Sequence, residues 1–512
     1  MPKNETRRDS MNRAVLNRRL LMGVVGLALS GMSFAAHGQV TYNWFGSGDG
    51  VSYTDPLNWL PNAVPGVLDE AKFDQAGMQT VNFTTNPINA TNSVENDTVV
   101  YNLAGHTYTV ADLVVGDRFS DVGKLTVNGG TLTTTTGFAK IGRNAPATGT
   151  LILSNNATMI NQRDISVGHS GDGIFQIDAG STATSLNAFV GDRLGATGDA
   201  LIRGTWNVQN TLVIGNFSTG TFTVENGGSL SVGAIIKVGD DVGSSGSLVV
   251  DGAGSTASSI GTTTIGNFGQ GALTVSNGAT LSASALKISD DFQASVLIDN
   301  ATVFATTDTS VGKRAAGNLT LDNGGILQTP VVTVISLGTL GGSGTITGTV
   351  ITSGTTNPGN TLGTLHVNGD YAQTGGAVNI ELGGNTLGVS YDQLAVDGTA
   401  TLGGALNVSL VNGYNPISDQ FVIIQGGVIN GRFASVTLPP NFTITYEANR
   451  VLVTIANTCI ADFNGDGVVN TQDFVAFLNA WSSGNTSADI DGNGLVNTLD
   501  FIMFLNLWNA GC

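Results

Sequence analysis

One short unit recurs from about residue 112 to 329, and its length limits what the chain can fold into. A β-branched residue followed by Gly opens each unit: Val115-Gly116, Ile141-Gly142, Val167-Gly168, Val190-Gly191, Ile214-Gly215, Val238-Gly239, Ile265-Gly266, Ile288-Ser289 and Val311-Gly312. The spacing from one opening to the next is short and nearly even. Between them lie strands such as Lys124 to Val127, Thr221 to Val224 and Ala272 to Val275, each followed by an Asn/Gly turn. A unit this short cannot enclose a core of its own, so neighbours must stack to make one. Alternation of Leu or Val with Thr is strand periodicity, one side inward and one to solvent. Glycines and Asn-Gly pairs supply the positive φ that sharp corners need. These features predict a mostly β chain: a parallel β-helix, or solenoid, with coils of about 24 residues. A propeller blade would need about 40 to 45 residues, and β-sandwiches do not repeat sequence at this period.

Composition agrees. Gly is 71 of 512 residues without a Gly-X-Y period, which excludes collagen. Hydrophobic residues at 41% exclude a disordered chain. The expected organisation is a signal peptide at 1–38, an N-terminal cap and first coils at 39–111, and solenoid repeats at 112–329. Last coils and a C-terminal cap follow at 330–456, and a distinct module at 457–512. The N-terminal cap is read from Trp44-Phe45, Trp59, Pro61 and Pro65-Gly66, which are unlike the repeats.

The opening stretch, 1–38, reads as an address. Arg7, Arg8, Arg13, Arg18 and Arg19 precede an apolar run from Leu20 to Leu29, and Ala36-His37-Gly38 offers a cleavage site before Gln39. That run is too short to span a bilayer. Arg18-Arg19 resembles a twin-arginine signal, and the export route stays open. Export predicts an extracellular or cell-surface location on a bacterium, and no transmembrane segment is expected in the mature chain. Without the leader the chain keeps 14 of 20 basic and 36 of 38 acidic residues, a net charge of −22. That balance argues against nucleic acid and anionic membrane surfaces as partners.

The C-terminal segment 459–512 carries the sharpest chemistry. Asp462, Asn464, Asp466, Val468, Asn470 and Asp473 occupy positions 1, 3, 5, 7, 9 and 12 of a calcium loop, with Gly467 at position 6. Asp489, Asp491, Asn493, Leu495, Asn497 and Asp500 repeat the pattern position for position, with Gly494 at the turn. A hard cation needs six or more oxygens, and this spacing supplies them from one short segment. The positions give side-chain oxygens at 1, 3 and 5, a backbone carbonyl at 7, a water contact at 9 and a carboxylate at 12. After each loop, Phe474, Phe477, Leu478 and Trp481, and then Phe501, Phe504, Leu505 and Trp508, mark one face of a helix. A small all-α module with two EF-hand-like loops and two Ca²⁺ ions is therefore expected. Cys459 and Cys512 bracket it, and in an exported chain such a pair predicts a disulfide bond.

Two resemblances add to this. Residues 42 to 455 resemble the autotransporter-associated β-strand repeat proteins. The likeness rests on Trp59, Pro65-Gly66 and Asp69 at the opening, and on Gly354, Asn368 to Tyr371 and Tyr391 to Leu394 at the close. It implies a secreted β-helix with adhesive or structural roles. The usual outer-membrane barrel is replaced here by the acidic module, so attachment is expected to come from elsewhere. Residues 459–512 resemble a type I dockerin of the kind ending in Gly511-Cys512, which implies a cohesin-like partner or another cell-surface component. After position 9 the loops carry Thr471-Gln472 and Thr498-Leu499, without the basic residue common in such domains.

No catalytic and no cofactor-binding residue is assigned. The solenoid acids, among them Asp117, Asp164, Asp192 and Glu225, are spread singly, and His106, His169 and His366 have no partner at ligand spacing in the sequence. A glycosidase would need two carboxylates facing one cleft. The expectation is a non-enzymatic structural or adhesive protein docked through a calcium-dependent module. The rival is a polysaccharide-binding or polysaccharide-degrading β-helix carried by a dockerin.

Overall fold

In the computed structural model, residues 38–414, 416, 419–455 and 459–511 are described. The leader expected at 1–38 therefore lies outside the described residues, apart from Gly38. From Thr41 onward the chain winds into a parallel β-solenoid, with three strands in each regular coil. One coil runs Asp172–Ile177, Thr182–Ser185 and Ala188–Val190; the next runs Thr197–Ile202, Thr205–Val208 and Leu212–Ile214. The first strands of the coils form one 16-stranded sheet, and the second and third strands merge into a 29-stranded sheet.

Alternation sets which side chains enter. Along the first face Leu125, Leu151, Phe175, Ala200, Phe222, Leu248 and Leu273 stand in register and are all buried. Thr and Ser between them point outward, where a β-branched or small polar side chain suits a half-exposed strand. In three of these coils the second face complements the first in volume. Phe175 shares its coil with Ala183, Leu248 with Ala257, and the small Ala200 with Trp206, which is fully buried. The Trp206 ring meets Phe175 edge-on at 4.8 Å and stacks with Phe222 at 5.5 Å.

The recurring glycine has a steric reason at Gly215. Its φ is +68°, and a Cβ there would come within 2.4 Å of the Ser245 carbonyl oxygen in the next coil. A side chain would have to occupy the path of the neighbouring strand, so the corner admits only glycine.

The first coils hold an aromatic core. Trp44, Trp59, Phe73, Tyr53, Phe83, Tyr101 and Tyr108 are all buried, with neighbouring rings 4.8 to 5.7 Å apart. Trp59–Leu60 pairs antiparallel with Thr41–Trp44, which in turn pairs parallel with Glu70–Phe73. At the other end, Arg450–Ile455 runs antiparallel to both Gln420–Gln425 and Phe442–Tyr446. Antiparallel strands thus occur at both ends of the parallel ladder, which limits the edge left open to further pairing.

Near that end, Asp392 is almost wholly buried and accepts from the Gly363 N–H at 3.0 Å and the Glu381 N–H at 2.8 Å. Desolvation pushes its carboxyl up to about 7, although these two donors oppose the shift. Between the ordinary value of 3.8 and about 7 the native state binds the extra proton, so stability falls as pH rises through this window. The thermal midpoint of the solenoid is expected to drop from pH 4 to pH 7 and then level off. Asp392→Asn should flatten that slope; an unchanged profile in the variant would remove Asp392 as its source.

Two helices follow the solenoid residues: α1 (Thr471–Ser482) and α2 (Thr498–Ala510). Among the described residues no helix is long and apolar enough to cross a membrane.

Candidate metal centre

Each helix starts at the end of a carboxylate-rich loop, and the same residues build both features. Asn470 caps α1, its Oδ1 accepting from the Gln472 N–H at 2.7 Å; Asn497 caps α2 through the Leu499 N–H at 2.8 Å. Three positions into each helix, Asp473 and Asp500 complete a capping box by accepting from the backbone N–H of their own cap residue. Both aspartates are fully buried. Asp473 also accepts from the Asn464 N–H at 3.0 Å, and Asp500 from the Ile490 N–H at 2.8 Å.

The backbone N–H groups of Asn464 and Asn470 hold the Asp473 carboxyl below the ordinary carboxylate range, and that of Asn497 leads in doing the same for Asp500. Their contribution to stability is therefore complete above the ordinary range and is lost as pH falls below it.

At each loop the remaining acids turn toward the same point. Carboxylate oxygens of Asp462, Asp466 and Asp473 lie within 4.8 Å of one another, as do those of Asp489, Asp491 and Asp500. The first trio falls at positions 1, 5 and 12 and the second at 1, 3 and 12, with Asn464 and Asn493 filling the complementary slots. Backbone donors brace these oxygens. Gly467 N–H donates to Asp462 and Gly494 N–H to Asp489, both at 2.8 Å. Two glycines per loop have positive φ: Gly465 and Gly467, then Gly492 and Gly494. Sequence spacing had singled out only the second of each pair.

The donors fit a hard divalent cation: three carboxylates, one amide oxygen and a main-chain carbonyl, all oxygen, with no soft ligand. Asn470 and Asn497 are placed differently from the water contact expected of them. They serve as helix caps, and their Nδ2 groups donate to the carbonyls of Val468 and Leu495 at 3.0 and 3.2 Å. A carbonyl has two lone pairs, so one remains at each of these position-7 oxygens.

The helices clamp the two loops together. Trp481 of α1 donates its Nε1–H to the carbonyl of Asn497, and Trp508 of α2 donates to that of Asn470, at 2.6 and 3.0 Å. Between them Phe477 and Phe504 stack at 4.0 Å, with Phe463 edge-on to both. Leu478 and Leu505, expected on the same face, are half-buried outside this cluster; Ala480 and Ile490 pack there instead.

Cys459 is disulfide-bonded, and Cys512, the partner expected for it, lies outside the described residues. Cys459 is not a free thiol, and its Sγ accepts from the Asp462 N–H at 3.3 Å.

In the solenoid, side chains that look isolated in the sequence meet across coils. Arg143 binds Asp117, Arg203 binds Glu225 at 2.8 Å, and His169 Nδ1 lies 3.0 Å from Asp192, which also accepts from Ser166 at 2.7 Å. Adding one coil length to His169 lands on Asp192, a signal the sequence held. Ser166 and Asp192 both approach Nδ1 of the ring, so they tie neighbouring coils rather than form a nucleophile–base pair on opposite ring nitrogens.

Residues 460–507 match the family model of the Dockerin type I domain. A comparison with curated proteins gives no match. The chain is thus a β-helix protein bearing a dockerin-like domain, with two acidic clusters able to coordinate a metal ion.

Proposed function

We propose that this chain is an exported, non-catalytic β-helix stalk whose terminal dockerin-like domain fastens it, with two Ca²⁺ ions bound, to a cohesin-like partner. The observation that carries this is the duplicated loop: two oxygen-only clusters, each built into the first turn of a helix, within the span that matches the Dockerin type I domain. Bound calcium would neutralise the clustered carboxylates and fix each loop against its helix. Asp462, Asn464, Asp466, Val468 and Asp473 would hold one ion, and Asp489, Asp491, Asn493, Leu495 and Asp500 the other. An extracellular or cell-surface location belongs to the same reading, as does the likeness of the stalk to autotransporter-associated β-strand repeat proteins.

The surface offered to a partner differs between the halves. Val468 and Leu495 are exposed alike in the two loops, but where α1 presents Gln472 and Val475, α2 presents Leu499 and Ile502 with Met503 beside them, all exposed. An exposed apolar patch on a small domain marks an interaction face, so α2 is the side we assign to docking.

Calorimetric titration of the exported chain with calcium, then with a cohesin, tests both steps. Two ions and a calcium-dependent cohesin heat are expected. Leu499→Asp with Ile502→Asp should weaken docking at least tenfold, since apolar anchors dominate such interfaces, and should leave the calcium heat unchanged. Calcium uptake with no heat from any cohesin would refute the docking step and leave a calcium-stiffened terminus.

A further inference from the structure

The corner joining the third strand of one coil to the first strand of the next carries a row of side chains that the core does not use. In five consecutive coils this corner exposes an apolar residue: Leu194, Phe217, Val242, Phe268 and Phe292, at 88, 47, 78, 49 and 43% of their full surface. A contiguous apolar row on an exported chain marks an interaction surface. The backbone beside it is stacked in register. Asp192, Asn216, Asp240 and Asn267 donate their N–H groups to the carbonyls of Gly168, Gly191, Gly215 and Gly239 in the coil before. The row therefore runs along the stalk, one residue per coil, at about 4.8 Å per step.

Charges beside the row reverse sign on either side of Phe217. One coil before it stands Arg193, exposed and without an ion pair among the described residues; one coil after it stands Asp241, whose carboxylate bonds only the Val242 N–H. The other acids of these two corners are engaged within the chain, Asp192 with His169 and Asp240 with Lys237. Two coils out, His169 and Asn267 bring neither a carboxylate nor a Lys or Arg cation. Farther out the charges are paired within the chain, Arg143 with Asp117, Lys313 with Asp290 and Arg314 with Asp291.

We propose that this ridge is a self-association surface on which two copies of the chain pack antiparallel, about a two-fold axis at Phe217. Such an axis sets each coil against the one equally far on the other side, so Arg193 of one copy meets Asp241 of the other. Phe217 then rests on its own copy, and Leu194 on Val242 of the second copy. An axis at Val242 would instead place Asp241 against itself, and parallel packing in register would stack like on like. A cation and an anion outside the intrachain ion pairs, one coil on either side of Phe217, are what a self-complementary surface requires. The ridge is narrow and convex, so the buried area falls below the roughly 1,200 Å² of a stable interface and the pairing exchanges readily. It does not involve the terminal domain and stands whether or not that domain binds calcium.

Sedimentation velocity on the exported chain, across micromolar concentrations with calcium held constant, tests this. A dimer that grows with concentration and weakens with salt is expected. Phe217→Asp should abolish it. Arg193→Asp and Asp241→Arg should each weaken it about tenfold, because each pair occurs twice in a two-fold interface. Combining these two charge changes should restore it, with β-type circular dichroism unchanged throughout. A monomer at all concentrations overturns the proposal, as does a dimer indifferent to Phe217→Asp or a double variant that fails to recover. Retention on an insoluble glycan through Phe217 by a strictly monomeric chain would overturn it too, and would assign the ridge to a sugar ligand.

Discussion

Chelating calcium from the purified chain is expected to melt α1 and α2 while the β signal of the solenoid persists. The segment 459–512 carries six Asp and no Lys or Arg. Its carboxylates gather as two trios with oxygens within 4.8 Å of one another, and without a cation each trio repels itself. The backbone N–H groups that brace these oxygens offset part of that repulsion, and the fully buried apolar core behind them is small, Phe477, Phe504 and Ala488. Calcium at a hundredfold excess over its dissociation constant adds about 2.7 kcal/mol per site, so two sites supply about as much as a small domain's whole stability.

Helical circular dichroism near 222 nm, followed through chelation and calcium return, reads this directly. Asp473→Ala and Asp500→Ala should each remove one ion and the matching capping box. Because Trp481 and Trp508 reach across to the opposite loop, losing either site should weaken the other. Helix content indifferent to chelation would sink the metal reading.

Trp206→Ala should cost the solenoid about 3 to 5 kcal/mol, the range for removing a buried aromatic side chain. The ring fills the space left by Ala200 on the facing strand and is held by Phe175 and Phe222 in the coils before and after. Parallel pairing on both sides keeps the backbone from collapsing into the gap. In a stacked repeat the loss falls on two coil interfaces, so opening should begin there and divide the stalk. Denaturant unfolding and hydrogen exchange across residues 172–238 would show this. Adding Ala200→Leu recreates the large–small arrangement of Leu248 with Ala257 and should recover part of the loss. Equal stability of Trp206→Ala and the parent would mean that the coil core is not packed as described.

Much of this was legible from spacing. The repeat from Gly116 to Gly312 implied stacked coils because no unit that short encloses a core, and the structure has them. The two loops were legible because the calcium-loop pattern and a helical apolar face recur together, first over 462–481 and again over 489–508. The double duty of Asp473 and Asp500, as cap and candidate ligand, was not read, although Asn three positions before Asp is itself a capping signal. His169 and Arg143 looked solitary because their partners lie a coil away in sequence and directly beside them in space.

By itself the sequence determined the architecture, the acidic terminal domain and which residues turn inward, since strand alternation, glycine corners and loop spacing act over a few residues at a time. Tertiary structure alone decided which coil corners stand next to one another. Stacking converts a separation in sequence, which varies from coil to coil, into a single interstrand step. Only when that variation is absorbed in the loops do Asp192 and His169 meet, Trp206 find its place opposite Ala200, and Leu194 to Phe292 become one continuous ridge.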